Sequence, residues 1–287
     1  MNNLQHITEK IGAIKLHYVK QGSGPLVVLL HGFPEFWYSW RYQIEALSAQ
    51  YTVVAPDMRG YGDSDKPKGV NQYSPDKVAG DIVNLITHLG YKKAHLVGHD
   101  WGGAIAWHLA QYHPDIIDKL VVLNCPLPAI LGKHLRNNWA QIKRSWYMFF
   151  FQLPWLPEKR MSSNLPLFFK RALRGWAKNK QAFSNEDIEK YVEAYRKPYA
   201  LTAAVNYYRA AFKNMLKKET REVKPIALNT LVLWGKDDEA LGIEMTYGME
   251  RYFTNGFHIE YLENCSHWIQ HDHPDKVNGL LLDFLLP

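Results

Sequence analysis

A chain of 287 residues with 47% hydrophobic content can bury one large core, and its length fits a single α/β domain carrying an insertion. Its 34 basic and 28 acidic residues leave a net charge of +6, a modest excess read as having no dense basic block, which argues against a nucleic-acid partner. Two cysteines, Cys125 and Cys265, make no disulfide framework, and no apolar run reaches membrane-spanning length, so a soluble cytoplasmic protein without a membrane span is expected.

Residues 6–20 alternate loosely around Gly12 and predict an antiparallel hairpin at a sheet edge. Pro25 to Leu30 is a continuous apolar run, the form of a strand buried on both faces, and it delivers His31-Gly32-Phe33-Pro34 to the end of the sheet. From Glu35 to Leu47 the spacing of Trp37, Trp40, Ile44 and Leu47 predicts a helix whose early aromatics line a pocket. Tyr51 to Ala55 forms the next buried strand, leading into a turn-rich loop that Asp57 and Arg59 hold together. Residues 74–90 form a helix capped by Ser74, with Pro75 in its first turn and Val78, Ile82, Leu85 and Ile86 as its apolar stripe.

The stretch LVGHDWGGAIAWHLA, Leu96 to Ala110, reads as strand, tight turn and helix. Glycines at 98, 102 and 103 allow the turn to be sharp enough to present its middle residue at the carboxyl end of the sheet. In the Gly-x-Ser-x-Gly elbow that residue is serine; here it is Asp100. Lys119 to Leu123 is a further strand, ending at Asn124-Cys125-Pro126. Strands and helices in this alternation predict a mostly parallel sheet with helices on both faces and right-handed crossovers. Between residues 127 and 223 the alternation stops in favour of helices rich in aromatics with basic residues between them, read as a cap inserted into a core of residues 1–126 and 224–287. Asn229 to Leu233 and His258 to Leu262 resume the sheet, and His273 to Leu286 closes the chain as an amphipathic helix.

A carboxylate at the elbow is ionised at neutral pH and attacks without a base, but it leaves an ester on the protein. Hydrolysing that ester needs a base near neutrality and an acid to orient it. His267, in a loop before the last helix, is the candidate base; His99 is expected to face away from Asp100, and His271 and His273 fall at the helix start. The spacing of His267, His271 and His273 also admits a metal site, though without a matching cysteine or acidic pattern. The acid is Asp237 or Asp238, after the strand ending at Trp234-Gly235; Asn124, ending the preceding strand, is not ionisable. Backbone N–H groups of Phe33 and Trp101 supply an oxyanion hole.

The segments HGFPEFWYSWRYQI, VVAPDMRGYGDSDKP, VGHDWGG, LVLWGKDD and ENCSHW resemble those of soluble epoxide hydrolases in the α/β-hydrolase superfamily, over nearly the whole chain. The resemblance implies the α/β-hydrolase fold, Asp100 as nucleophile, His267 as base and Asp238 as the orienting acid. It also implies that Tyr147, before Phe151-Gln152, and Tyr208, within Asn206-Tyr207-Tyr208-Arg209, hold and protonate the epoxide oxygen. No metal or organic cofactor is implied; the partners are a small apolar epoxide and water, and the product a vicinal diol. His31, Pro34, Glu35 and Trp37 are candidates for pocket or supporting roles, Glu35 as a hydrogen-bond partner of the hydrolytic water. Haloalkane dehalogenases share the HGFP and GHDWGG motifs; Trp101 suits their halide site, whereas Phe33 stands where many of them carry Asn. A non-catalytic ligand-binding member of the fold is the reading from another class. Leu153-Pro154-Trp155-Leu156 departs from the acidic-Pro-Gly turn common in the epoxide hydrolases.

Overall fold

The computed structural model describes residues 3–216 and 223–286. Its centre is one eight-stranded sheet of β1 (Gln5–Ile11), β2 (Ile14–Gln21), β3 (Leu26–Leu30), β4 (Thr52–Pro56), β5 (Ala94–His99), β6 (Ile117–Leu123), β7 (Asn229–Gly235) and β8 (Phe257–Leu262). The order across the sheet is β1-β2-β4-β3-β5-β6-β7-β8. The strands from β3 onward pair in parallel, while β1 and β2 form the expected antiparallel hairpin at one edge, with β2 antiparallel to β4. The strand order reverses at β3: the chain steps from β3 to β4 on one side, then returns to β5 on the other. In a parallel sheet such a reversal opens a crevice at the carboxyl ends of the two flanking strands, and ligands bind there.

Twelve helices are described: α1 (Arg41–Leu47), α2 (Pro75–His88), α3 (Trp101–Tyr112), α4 (Pro128–Asn137), α5 (Trp139–Arg144), α6 (Trp146–Phe150), α7 (Leu156–Ser162), α8 (Leu165–Phe169), α9 (Asn185–Arg196), α10 (Ala200–Leu216), α11 (Ile269–Asp272) and α12 (Pro274–Leu285). Alternation along β3 sorts its side chains between two apolar layers, because successive residues of a strand point to opposite faces. Leu26, Val28 and Leu30 join Val78, Ile82 and Leu85 of α2 and Ile105 and Leu109 of α3 in one layer. Val27 and Leu29 join Ile44 and Leu47 of α1 and Val277, Leu281 and Leu285 of α12 in the other. Each fully buried aliphatic side chain here contributes about 1.5 to 3 kcal/mol, which is why these strands read as unbroken apolar runs. Helices α4 to α10 follow β6 and precede β7; residues 217–222, within the expected cap, lie outside the described residues.

Two local expectations change. The run from Glu35 to Leu47 is a 3-10 turn over Trp37–Trp40 followed by α1, because the Asp57 carboxylate accepts the Trp37 amide at 3.0 Å and starts the turn there. Ser74 occupies the N-cap of α2, but its backbone carbonyl takes the amides of Lys77 and Val78, and its hydroxyl makes no capping bond. The closing helix is α12, opened by Pro274 as expected; the short α11 stops before it, since Pro274 has no N–H to continue it.

Candidate active site

Asp100 lies at the turn between β5 and α3 with φ 49° and ψ −117°, a left-handed conformation that a side-chain-bearing residue adopts only when its surroundings hold it there. Two glycines permit the close approach. A Cβ on Gly102 would lie 2.0 Å from the carbonyl oxygen of Leu30, and one on Gly32 would lie 2.4 Å from Cβ of Asp100. The elbow therefore packs backbone to backbone against the end of β3, at the reversal point of the sheet.

The Asp100 Oδ1 accepts the Phe33 amide at 2.7 Å, and its Oδ2 lies 3.6 Å from His267 Nε2. Trp101 opens α3, so its N–H has no acceptor within the helix. His267 Nδ1 donates to Asp238 Oδ2 at 2.8 Å. Asp238 is held from both sides: Asn124 Nδ2 donates to Oδ2 at 2.6 Å, and the amides of Ala240 and Leu241 donate to Oδ1 at 2.7 and 2.9 Å. Of the two acids left open by spacing, Asp237 sits at the surface and pairs with Lys178 at 3.2 Å. The side chains of His267 and Asp238 are 4% and 1% exposed, whereas that of Asp100 is 14% exposed, so the carboxylate is the member of the three that a small molecule can meet.

Burial opposes charge on His267, but Asp238 and Asp100 outweigh it and push the imidazole pKa up to about 10. Burial likewise opposes charge on Asp238, and His267, Asn124 and the Leu241 amide hold its carboxyl below the usual range. The arrangement is an ionised acid, an imidazolium and a second carboxylate in a row.

Tyr147 on α6 and Tyr208 on α10 meet above Asp100, their ring centroids 5.9 Å apart. Tyr208 packs edgewise against Trp101 at 5.0 Å, Phe151 at 4.9 Å and Phe33 at 5.4 Å. Burial and the Asp100 charge push both phenols upward, keeping their O–H groups protonated across the neutral range; a hydrogen bond from Trp101 acts in the opposite sense on Tyr208. The neighbouring Tyr207 donates its hydroxyl to the Arg59 carbonyl at 2.7 Å and serves as a strut.

The remaining candidates divide. Trp37 is turned away from Asp100, since its ring meets His6, Phe36 and Tyr38, the first on β1 at the sheet edge. This corrects its expected place in the pocket: the turn that starts at its amide directs the ring to the far side. His31 is a fastening of the loop, its Nε2 accepting the Met58 amide at 3.0 Å and its Nδ1 donating to the Gly32 carbonyl at 2.9 Å; burial lowers its pKa. Pro34 follows Phe33 through a cis peptide and is buried. Glu35 is wholly buried and accepts from the Gly32 amide, His99 and Gln270 at 2.8 to 2.9 Å. Burial disfavours its charge, yet His99 and His271 pull its carboxyl well below the usual range.

His99 does face away from Asp100, but it is not idle. Its Nε2 donates to the His267 carbonyl at 2.8 Å while its Nδ1 faces Glu35, joining the loop of the base to the loop of the Phe33 amide. His267, His271 and His273 are separated in function: the second lies against Arg41, and the third is bonded to the Asn264 carbonyl. Sequence reasoning passed over Asn124, whose amide braces Asp238 and whose oxygen accepts the Gly235 amide at 3.1 Å. The signal was its position, at the end of the strand beside the acid's.

Comparison with known proteins gives the geometry a family. Residues 25–274 match the family model described as alpha/beta hydrolase fold. The chain is 40% identical over 286 residues to Epoxide hydrolase 4 of Mus musculus, covering 98% of this chain and 79% of that protein. It is 42% identical over 276 residues to an AB hydrolase superfamily protein of Bacillus subtilis (strain 168), covering 95% and 94%. Among solved structures, an epoxide hydrolase from Vigna radiata superposes with a TM-score of 0.89 at 28% identity, covering 99% of this chain and 98% of that one. An inhibitor complex of the Bacillus megaterium epoxide hydrolase superposes with a TM-score of 0.87 at 30% identity, covering 98% and 99%. The chain belongs to the α/β-hydrolase fold family and, within it, to the epoxide hydrolases.

Proposed function

We propose that this protein converts a small apolar epoxide to a vicinal diol through an ester on Asp100, with residues 127–223 acting as the cap over the site. The observation that carries the reading is the pair of phenols, Tyr147 and Tyr208, facing each other beside one partly exposed carboxylate. Opening an epoxide requires a nucleophile at carbon and a proton for the oxygen that leaves it, and a carboxylate and a protonated phenol can supply them.

In the first step an oxygen of Asp100 forms a bond to an epoxide carbon, the C–O bond of the ring breaks, and a tyrosine O–H gives its proton to the developing alkoxide. The phenolate is restored by a proton that His267 gives up through solvent. That release is favoured by the chemistry itself: once Asp100 is a neutral ester, one of the two negative charges that hold the imidazolium is gone, and the pKa of His267 falls. The neutral imidazole then takes a proton from water, the hydroxide adds to the ester carbonyl, and the Phe33 and Trp101 amides receive the oxyanion. Collapse releases the diol, the Asp100 carboxylate and the imidazolium, so the cycle consumes one water and returns every proton. Asp238 keeps the Nδ1–H of His267 fixed throughout. The aromatic surroundings of the phenols favour aryl or alkyl epoxides over charged ones.

A test is a parallel assay with styrene oxide and a bromoalkane for wild type and Asp100→Ala. Diol that is lost in the variant, without bromide release, is the expected result; bromide without diol would move the activity to dehalogenation. No helix among the described residues is long and apolar enough to cross a membrane, and both cysteines are free and buried; we infer a reducing, cytoplasmic setting.

A further inference from the structure

The whole-chain charge balance hides a strong asymmetry. Residues 127–180 contain 11 Lys and Arg and a single acid, Glu158, a formal charge of +10, leaving the rest of the chain at −4. Glu158 is held by Arg209 at 2.7 Å and does not neutralise its own segment's surface. The reading of a modest excess with no dense basic block is therefore corrected to a basic cap on an acidic core.

The same segment carries the most exposed indoles of the described residues. Trp139, Trp155 and Trp146 are 76%, 65% and 62% exposed, and Phe149, Leu153 and Leu156 are exposed beside them. None of these side chains is needed by the core. Trp139 and Trp146 open α5 and α6, two turns of chain apart, and Trp155 projects from a residue with φ 53°. The ammonium of Lys159 lies 5.9 Å from the Trp155 ring centroid. Lys133, Arg136, Lys143 and Arg160 are also exposed. Water-facing monomers seldom leave such a cluster uncovered. Glu244 meets Arg144 of α5 at 2.9 Å and Asp237 meets Lys178 at 3.2 Å, while Lys133, Arg136, Lys143, Lys159 and Arg160 remain exposed. Indoles with an apolar body and a polar N–H in so basic a segment match the chemistry of an anionic membrane–water interface.

We propose that the outer face of the cap, from α5 to α7, docks on an anionic lipid bilayer. The indoles enter the headgroup region and the basic side chains meet lipid phosphates. Docking of this kind sets the cap of an enzyme for apolar epoxides against the phase in which such compounds concentrate, and it stands on the surface alone, whatever the reaction beneath. The Leu153-Pro154-Trp155-Leu156 turn, which departs from the family pattern, is part of this face.

The test is flotation of the full chain with large unilamellar vesicles of phosphatidylcholine alone, or with about 30 mol% phosphatidylglycerol. The expected result is binding to the mixed vesicles that weakens with added salt, with a blue shift of tryptophan emission. A W139A/W146A/W155A variant is expected to lose about ten-fold or more in partitioning, and so is K143E/K159E/R160E, both with wild-type melting and wild-type turnover of styrene oxide. If the tryptophan variant misfolds, the charge-reversal variant carries the test. Absence of flotation at low salt, or equal flotation of wild type and a folded variant, overturns the proposal. So does light scattering in which the wild type is a dimer and the tryptophan variant a monomer, since a second copy would then cover the face.

Discussion

Replacing Asp238 by Asn separates the two chemical steps. Its carboxylate accepts four hydrogen bonds, from His267 Nδ1 and Asn124 Nδ2 on one oxygen and from the Ala240 and Leu241 amides on the other. An amide offers one accepting oxygen and one donating NH2, so either rotamer sets a donor against two donors. With the oxygen kept on the two backbone amides, His267 must present Nδ1 as a lone pair and carry its proton on Nε2, where the base should be. This wrong tautomer lowers ester hydrolysis by about a thousand- to ten-thousand-fold, or about 4 to 5.5 kcal/mol in the barrier. Each donor left without an acceptor also removes about 1 to 3 kcal/mol of stability, readable in urea unfolding. Attack by Asp100 needs no base, so the first step survives. Rapid mixing with styrene oxide, acid quenching and intact-mass measurement are expected to show one epoxide bound to nearly every molecule while diol formation stalls. A folded variant that turns over within about ten-fold of wild type and accumulates no adduct would refute the reasoning.

Other outcomes follow from the same geometry. Tyr147→Phe and Tyr208→Phe are each expected to lower kcat/KM for an epoxide by about a hundred-fold or more, with the double variant inactive; retention of activity in the double variant would remove the phenols from the reaction. Arg59→Ala strips the partner from buried Asp81, which receives two bonds of 2.6 and 2.7 Å, and is expected to destabilise the fold by about 3 to 5 kcal/mol in denaturant titration. His267 is expected to titrate near pH 10 in the free protein, protonated below and neutral above. Asp100→Asn, which removes one of the two charges raising it, moves that titration downward in an NMR pH series; an unchanged midpoint would contradict the switch between steps.

Much of the architecture was legible because the signals are local. Continuous apolar strands such as Leu26–Leu30 and glycine-rich turns such as that around Asp100 are each set by packing within a few residues. The identity of the acid was not local: Asp237 and Asp238 are adjacent in sequence, and the difference is that one meets Lys178 and the other His267 across the sheet. Trp37 misled for a related reason, since its amide is taken by Asp57, 20 residues onward, and the ring follows the turn. Asn124 and His99 were hidden because their partners, Asp238 and Glu35, come from other strands' loops. The two phenols carry no spacing signal among 17 tyrosines; the family resemblance singled them out, and the fold brings α6 and α10 together over the elbow.

The central claim is that the oxygen delivered to carbon belongs to Asp100. A single turnover in ¹⁸O-water, with protein in excess over styrene oxide, tests it directly. Unlabelled diol and an ¹⁸O atom in the peptide carrying Asp100 are the result expected, because water adds to the ester carbonyl and its oxygen stays on the protein. Labelled diol in that first turnover, with no label on Asp100, would mean that water attacks the epoxide itself and that no ester forms.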